Sequence, residues 1–329
     1  MSFAYHSALD LTRMIAAKEI SPVELVEDTL ARQEVLEPAL NCFVTRTPEI
    51  ALAAARKAEQ AVMAGAELGA LHGLPLSVKD LISMADVPWT FGSKPFAENI
   101  GPVDAPSVER ARAAGACIIG KTTTSEFGCK GTGDSPLTGI TRNPWNSEHT
   151  PGGSSGGAAV AALTGMGPLH IGTDGGGSVR IPASFSGIFG LKANFGRVPV
   201  YPASPFGTLS HLGPMTRSVA DGALMLTVMA EPDPRDAFSL PYDARDYFSV
   251  LEGGIAGLCV AFSPDLGYAE VDPEVAKLVA AAAKSFAALG AQVEQVDPGF
   301  DNPQAIFRSH WYAGAAHILR AMTPEQREL

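Results

Sequence analysis

The sequence predicts an α/β fold, and two features of the chain support this prediction. Helical stretches that end at glycine alternate with short runs of β-forming residues, as at residues 107–114, Gly115 and 116–119. Alternation of this kind is typical of a largely parallel, buried sheet. In addition, a chain of 329 residues, of which 46% are hydrophobic and 18% charged, can bury a sizeable core.

The N-terminal segment, residues 1–67, is predicted to be helical. Ser21 and Glu24 form a capping-box pattern around a proline at the first helical position. A second, alanine-rich helix is predicted from Thr47 through Val62. Because neither helix carries residues typical of a catalytic site, we expect this segment to be scaffold.

A strand is predicted at residues 74–78, directly before Lys79 and Asp80. Its carboxyl end is the place where sites assemble in open α/β sheets. A loop-rich stretch, residues 88–106, then leads to the helix at residues 107–114.

Residues 115–122 match the phosphate-binding-loop pattern G-x-x-x-x-G-K-[ST]. Such a loop must follow a strand and open a helix, because its amides wrap phosphate at a helix N-terminus. Here the helix comes first, and the four middle residues favour a strand. Nucleotide binding is therefore the less favoured alternative.

A glycine-rich stretch at residues 150–180 organises the chain. Its two clusters, residues 152–157 and 175–178, flank a predicted alanine-rich helix at 155–162 and a strand at 168–172. Glycine has no Cβ, so runs of glycine let backbone N–H groups converge on one small volume. A serine beside such a run can act as a nucleophile next to its own oxyanion hole.

The rest of the chain continues the alternation of elements. We predict strands at residues 188–192, 195–200, 255–262 and 291–296, and helices within 214–229, 272–290 and 305–329. Residues 231–246 are polar and rich in proline at their start, and they are interpreted as an excursion between elements.

Composition and motif spacing exclude several classes of function. A net charge of −11 argues against a nucleic-acid-binding surface. The four cysteines and seven histidines show no metal-ligand spacing, so neither a metal nor another cofactor is expected. The N-terminus lacks the pattern of a signal peptide, and no apolar run is long enough to cross a membrane. We therefore expect a cytoplasmic protein that binds neither nucleic acid nor membrane.

Acyl transfer needs a nucleophile, a base and donors for the oxyanion. His170 and His211 are the histidines nearest to the glycine clusters, but neither lies in a pattern that indicates a base. The hydrolase elbow G-x-S-x-G is a poor match, because Arg180 occupies the place of its last glycine. An arrangement of serine with Lys79 fits the chain better.

These motifs resemble the amidase signature family. The resemblance extends from about Asp10 to Asp221 and rests on G-L-P-L-S-V-K-D at residues 73–80, G-G-S-S-G-G at 152–157 and T-D-G-G-G-S-V-R-I-P-A-S-F-S-G-I-F-G-L-K at 173–192. It implies a mixed β-sheet core covered by α-helices on both sides. The whole chain, residues 1–329, is then a single domain.

Within that domain, residues 1–67 form the helical N-terminal segment, 73–221 the catalytic core and 222–329 a peripheral α/β part. Members of the family are typically longer, so the family's C-terminal portion is expected to be missing.

The resemblance further implies a catalytic triad of Ser178 as nucleophile, Ser154 as a bridging serine after a cis peptide bond, and Lys79 as base. The oxyanion hole is implied to consist of the N–H groups of Gly175, Gly176, Gly177 and Ser178. Supporting roles fall to Ser155, which could also be a helix N-cap, and to Asp174 and Arg180, which flank the nucleophile. Substrate contacts are expected at Thr173 and Gly128.

The predicted function is hydrolysis of a small carboxylic acid amide by a free-standing amidase. The alternative within the family is the A subunit of a glutamine-dependent tRNA amidotransferase. Such subunits usually carry S-L-D-Q-I-G-P where this chain has S-H-L-G-P at residues 210–214. The expected partner is a small-molecule amide, and the sequence leaves open both a homodimer and a non-catalytic, truncated homologue.

Overall fold

The computed structural model describes residues 2–329, and the chain divides into two compact units. The first comprises residues up to 248 together with 314–329, and the second comprises residues 249–313. The second unit contains strands β9 and β10, which pair in parallel, and the helix α8 that connects them.

The strands of the chain are short. Their bounds are β1 Phe43–Arg46, β2 Pro75–Lys79, β3 Cys117–Thr122, β4 Asp134–Ser135, β5 Gly139–Ile140, β6 Leu169–Asp174, β7 Phe189–Gly190, β8 His211–Thr216, β9 Cys259–Phe262 and β10 Gln292–Gln295. The helices are α1 Ala8–Ala16, α2 Pro22–Leu40, α3 Pro48–Met63, α4 Pro106–Ala113, α5 Gly156–Leu163, α6 Arg180–Ser186, α7 Val219–Met229, α8 Pro273–Ala288, α9 Gln304–Ala321 and α10 Pro324–Arg327.

Six strands of the first unit form one sheet in the order β1-β3-β2-β6-β8-β7. The three central strands β3, β2 and β6 run parallel, whereas β1, β8 and β7 pair antiparallel with their neighbours. The sheet is therefore mixed, as the family resemblance implies, and the prediction of a largely parallel sheet holds for its centre alone. This centre carries Lys79 and Asp174 at the carboxyl ends of the adjacent strands β2 and β6.

Helices cover both faces of this sheet. Side chains alternate between the two faces along a strand, and the neighbours Ile118 and Ile119 of β3 belong to different hydrophobic clusters. Helices α1, α4 and α7 contribute to the cluster that contains Ile118, and α3 and α5 contribute to the cluster that contains Ile119. Helix α5 is fully buried up to Ala162, which explains why its first seven residues are glycine, alanine and valine.

The N-terminal segment confirms both predicted helix starts. The hydroxyl of Ser21 and the carboxylate of Glu24 form the capping box of α2, and α3 begins at Pro48. The prediction of a wholly helical segment is wrong at residues 43–46, because these form β1. These residues include the β-forming Phe43, Val44 and Thr45 and pair with β3, far away in sequence; the run is too short to have stood out between two helices.

One further prediction is wrong, and two elements were not predicted. Residues 195–200 are not a strand, because Gly196 adopts a φ of +76° within a turn. Residues 211–216 form β8 although they contain Gly213 and Pro214, which are uncommon inside strands. Helix α6 was not predicted, because proline is uncommon inside helices. Pro182 lies in the first turn of α6, where its missing N–H costs no helix hydrogen bond.

The residues that match the phosphate-binding-loop pattern form a strand. Residues 117–122 are β3, and the chain then continues without opening an α-helix. Gly120 has a φ of +151°, and a Cβ there would come within 2.5 Å of the Thr45 carbonyl oxygen in β1. The glycine is thus required by the close approach of β1, and the nucleotide-binding alternative is wrong.

Candidate active site

Lys79 ends strand β2 and is completely buried. Its Nζ lies 2.7 Å from Ser154 Oγ and 2.8 Å from Ser155 Oγ, and it donates a hydrogen bond of 2.9 Å to Thr173 Oγ1. Among residues 2–329, no carboxylate lies within ion-pair distance of this amine. Lys79 therefore faces hydroxyl groups instead of a neutralising charge.

The surroundings of Lys79 favour its neutral form. Burial lowers the pKa of the Lys79 ammonium well below its ordinary value, and the charge of Asp174 opposes this effect more weakly. A lysine with an ordinary pKa of about 10.4 is a poor base at neutral pH. A neutral lysine amine has a free electron pair and can accept a proton from a neighbouring hydroxyl.

Ser154 and Ser155 precede helix α5, and a cis peptide bond joins Gly153 to Ser154. Ser155 occupies the N-cap position, but its side chain does not cap the helix, so this alternative interpretation of Ser155 is wrong. Its hydroxyl instead donates to the Thr173 carbonyl at 3.1 Å and accepts from the Thr173 N–H at 3.3 Å. Because its one hydrogen is used in this way, Ser155 can only accept from Lys79, and Ser154 is the serine that can donate to the neutral amine.

Ser178 lies in the loop between β6 and α6 and is 7% exposed. Its backbone carbonyl accepts a hydrogen bond of 3.2 Å from the Ser155 N–H, which places the two glycine clusters side by side. No described residue hydrogen-bonds to the hydroxyl of Ser178. The structure thus brings Lys79 and Ser154 into direct contact, and it places Ser178 in the adjoining backbone segment.

Asp174 and Arg180 shape the glycine loop. Arg180 donates through Nε and Nη2 to the two carboxylate oxygens of Asp174, at 3.0 and 2.9 Å. The same carboxylate accepts from the N–H groups of Gly177 and Val179, at 2.7 and 3.2 Å. The prediction that the pair holds the loop in shape agrees with these contacts.

The same contacts set the pKa of Asp174. Burial by itself raises this pKa, but the hydrogen bonds and charge of Arg180 and the amides of Gly177 and Val179 outweigh it and bring the pKa below its ordinary value. The carboxylate therefore stays ionised and is available to hold the loop.

The amide of Gly177 requires a correction to the expected oxyanion hole. Because this N–H already donates to Asp174, it is not a free donor. The amides of Gly175, Gly176 and Ser178 have no acceptor within the part of the chain that the structure describes, and Gly176 is exposed. The expected oxyanion hole is thereby reduced from four candidate N–H groups to three.

Thr173 and Gly128 lie beside the serines and were both expected to contact substrate. Thr173 binds Lys79 through its hydroxyl, a role that the sequence did not indicate because it depends on the parallel pairing of β2 with β6. Gly128 has a φ of +74°, and a Cβ there would lie 3.2 Å from Ser154 Oγ. Gly128 therefore lies against Leu81 and Ser154.

The two histidines considered as bases have other partners. His170 is fully buried between Ser77 Oγ and the Gly167 carbonyl, at 2.7 and 3.0 Å, and burial lowers its pKa to about 3. Nδ1 of His211 lies against two backbone carbonyls. Neither ring is hydrogen-bonded to Ser178.

The described residues contain no group of three His, Cys, Asp or Glu side chains suited to hold a metal ion. Within residues 2–329, no helix has both the length and the apolar character needed to cross a membrane.

Comparison with known proteins assigns the chain to a family. The family profile described as Amidase matches residues 24–325. The chain belongs to the amidase family. An acylamidase of Rhodococcus erythropolis is 40% identical over 312 residues, a match that covers 94% of this chain and 65% of the relative. The A subunit of the glutamyl-tRNA(Gln) amidotransferase of Carboxydothermus hydrogenoformans is 39% identical over 297 residues, covering 90% of this chain and 61% of the relative.

Solved structures show the same fold. A bacterial aryl acylamidase of the amidase signature enzymes family matches with a TM-score of 0.91 at 33% identity, over 98% of this chain and 68% of that chain. A native peptide amidase from Stenotrophomonas maltophilia matches with a TM-score of 0.83 at 31% identity, over 94% of this chain and 65% of that chain. The chain thus has the amidase signature fold and spans less than two thirds of the length of the curated relatives named above.

Proposed function

We propose that this chain hydrolyses a carboxylic acid amide through an acyl-enzyme, with Ser178 as nucleophile, Ser154 as proton relay and Lys79 as base. The contact between buried Lys79 and Ser154 carries this proposal, because a lysine held at 2.7 Å from a serine, with no carboxylate to neutralise it, is set up to accept a proton. Family membership supports the same class of reaction.

In the proposed mechanism, neutral Lys79 takes the proton of Ser154 while Ser154 takes the proton of Ser178. The Ser178 oxygen then bonds to the amide carbon, and the carbonyl oxygen becomes an oxyanion. The N–H groups of Gly175, Gly176 and Ser178 stabilise this charge. The hydroxyls of Ser154 and Ser178 must meet for this relay, and catalytic hydrogen bonds often tighten only when substrate is bound.

Collapse of the tetrahedral intermediate breaks the C–N bond. Protonated Lys79 returns the proton through Ser154 to the leaving amine, which departs neutral. Water then attacks the acyl-enzyme and gives its proton to the same relay, so that the carboxylic acid leaves and Ser178 is restored. The lysine begins and ends each half-reaction uncharged, which suits its buried position.

The names of the relatives support amides of carboxylic acids as the class of substrate. Their names are acylamidase, aryl acylamidase and peptide amidase. An anilide such as p-nitroacetanilide is therefore a suitable first substrate, since release of p-nitroaniline is followed by its colour.

Two measurements on the purified 329-residue chain test the proposal. We expect hydrolysis of p-nitroacetanilide, and labelling by a fluorophosphonate probe that mass spectrometry maps to Ser178. Ser178→Ala should abolish both. A folded chain that shows neither contradicts the mechanism and indicates a non-catalytic homologue, and an adduct on another residue contradicts Ser178 as the nucleophile.

A second candidate is the A subunit of a glutamine-dependent tRNA amidotransferase, because such subunits are among the relatives. The segment S-H-L-G-P at residues 210–214 departs from the pattern usual in them. Release of ammonia from glutamine only after the other amidotransferase subunits are added favours this candidate. Hydrolysis of the anilide by the chain alone favours the free-standing amidase.

A further inference from the structure

The peptide bond between Asp174 and Gly175 has a hydrogen-bond partner outside the glycine loop. His211 is the first residue of β8 and lies opposite Asp174 of β6 in the register of the sheet. Its Nδ1 is 2.9 Å from the Leu209 carbonyl oxygen and 3.2 Å from the Asp174 carbonyl oxygen. Carbonyl oxygens only accept hydrogen bonds, so Nδ1 carries a hydrogen and donates to both.

Together with the β6–β8 pairing, this contact sets the direction of one proposed oxyanion donor. In a planar trans peptide, the carbonyl of one residue and the N–H of the next point in opposite directions. With the Asp174 carbonyl held toward His211, the Gly175 N–H must point away from β8. That N–H is one of the three amides that have no acceptor among the described residues.

Nothing in the Asp174 side chain controls this peptide. The carboxylate holds the amides of Gly177 and Val179 further along the loop. Residues 175 and 176 are glycines, which rotate more freely than other residues. The pairing of Asp174 with His211 at the end of the ladder and the His211 ring donor therefore act together at the start of the loop, as the Asp174 carboxylate acts at its end.

The His211 ring is itself held in place. Phe195 packs edge-on against it at 5.7 Å between ring centroids, and Phe238 packs on Phe195 at 5.3 Å. Both of its Nδ1 acceptors are backbone atoms of ordered segments. The ring thus presents a donor of defined direction to the Asp174 carbonyl.

We propose that His211 is a positioning residue that orients the Gly175 N–H toward the oxyanion, an assignment that rests on the proposed function. His211 acts through the peptide and not as a base. The sequence presented His211 as a candidate base only, because the partner of a side chain in β8 depends on its pairing with β6.

Asparagine and leucine at position 211 separate these roles. They have nearly the same shape, but the asparagine amide can donate to a carbonyl and the leucine side chain cannot. Removal of one oxyanion donor typically lowers kcat by a factor of about 10²–10³. A donor that is present but misdirected should lower kcat by a smaller factor. We therefore expect kcat for p-nitroacetanilide to fall by about 10- to 100-fold in His211→Leu, with KM changed less than threefold.

The rate of fluorophosphonate labelling at Ser178 should fall by a similar factor in His211→Leu, because the phosphonyl oxygen uses the same donors. His211→Asn should keep both rates within about fivefold of the wild type. Asparagine cannot serve as a proton acceptor, so this rescue is specific to positioning. His211→Ala provides a second non-donating variant, and thermal unfolding verifies that each variant is folded.

The outcomes are distinct. An inactive wild-type chain overturns the proposed function and the role of His211 together. Activity that Ser178→Ala abolishes and His211→Leu leaves unchanged overturns the role of His211 alone. Equal losses in His211→Asn and His211→Leu also overturn it, since they indicate either a base or a packing role.

Discussion

Replacing Asp174 by asparagine tests whether its carboxylate holds the glycine loop. The carboxylate is 1% exposed and accepts hydrogen bonds from the amides of Gly177 and Val179 and from two nitrogens of Arg180. Asparagine has the same shape, but it lacks the charge and presents an N–H₂ group to donors. At least one of these bonds must therefore break.

The expected loss of stability follows from these contacts. A hydrogen bond to a charged group contributes about 1.5–3 kcal/mol. The Arg180 side chain is 54% exposed, so water replaces part of the hydrogen bonding that it loses in the variant. We therefore expect the free energy of unfolding to fall by about 2 kcal/mol.

The loss of activity should be larger than the loss of stability indicates. Gly177 and Ser178 lie in the segment that the carboxylate restrains, so the nucleophile and the donors lose their fixed positions. We expect kcat for p-nitroacetanilide to fall by about 100-fold, the range found when one oxyanion donor is removed.

Asp233→Asn is the matched control. The Asp233 carboxylate accepts from Nε and Nη2 of Arg235 at 2.9 and 2.7 Å and from the Arg235 N–H at 2.9 Å. This control breaks the same kind of bidentate pair outside the glycine loop. It should lower stability in urea unfolding and leave kcat within about twofold.

The pH dependence of the free energy of unfolding gives a second test of the Asp174 contacts. The pKa of Asp174 is lower in the folded state, so its contribution is fully present above the unfolded value of about 3.9. It is lost as pH falls through the folded pKa. The stability gap between wild type and Asp174→Asn should therefore close in this acidic range. An Asp174→Asn variant with unchanged kcat at neutral pH refutes the proposal that the Asp174 carboxylate holds the glycine loop for catalysis.

Three further perturbations follow from the same structure. Lys121→Met removes the ion-pair partner, at 3.4 Å, of the completely buried Asp80 carboxylate, which keeps its hydrogen bonds from Thr90 and Gly92, and urea unfolding should show a loss of about 3 kcal/mol; a loss below about 1 kcal/mol contradicts this. Gly128→Ala places a Cβ 2.8 Å from Leu81 Cδ1 and 3.2 Å from Ser154 Oγ at a φ of +74°, and it should slow fluorophosphonate labelling by about tenfold or more, whereas Gly131→Ala should not. Thr173→Val removes a hydroxyl 2.9 Å from Lys79 Nζ, and it should lower kcat by about fivefold; Thr173→Ser should restore it.

The elements with local signals were predictable from the sequence. The capping box of Ser21 and Glu24 predicted the start of α2, and the apolar run before Lys79 predicted β2. The elements that were missed depend on distant pairing or on residues that local rules disfavour. Strand β1 is fixed by β3, and Pro214 lies inside β8 because its neighbours in the mixed sheet, not its own propensity, determine the conformation.

In the candidate site, too, some residues were predictable from the sequence and others were not. The motifs and their resemblance to a family pointed to Lys79 and the serines, since these lie in contiguous runs of sequence. They could not indicate that Thr173 binds Lys79 or that Gly177 is used by Asp174, because both contacts depend on how β6 and the glycine loop are placed.

The central claim is that Lys79 is a neutral base at physiological pH, and the pH dependence of Ser178 labelling by a fluorophosphonate tests it most directly. Protonated Lys79 cannot accept a proton, so the rate should rise with pH and become level well below the ordinary lysine pKa of about 10.4. Lys79→Met should be slow and show no such rise. A wild-type rate that still climbs tenfold per pH unit near that ordinary value, or an identical profile in Lys79→Met, contradicts the claim.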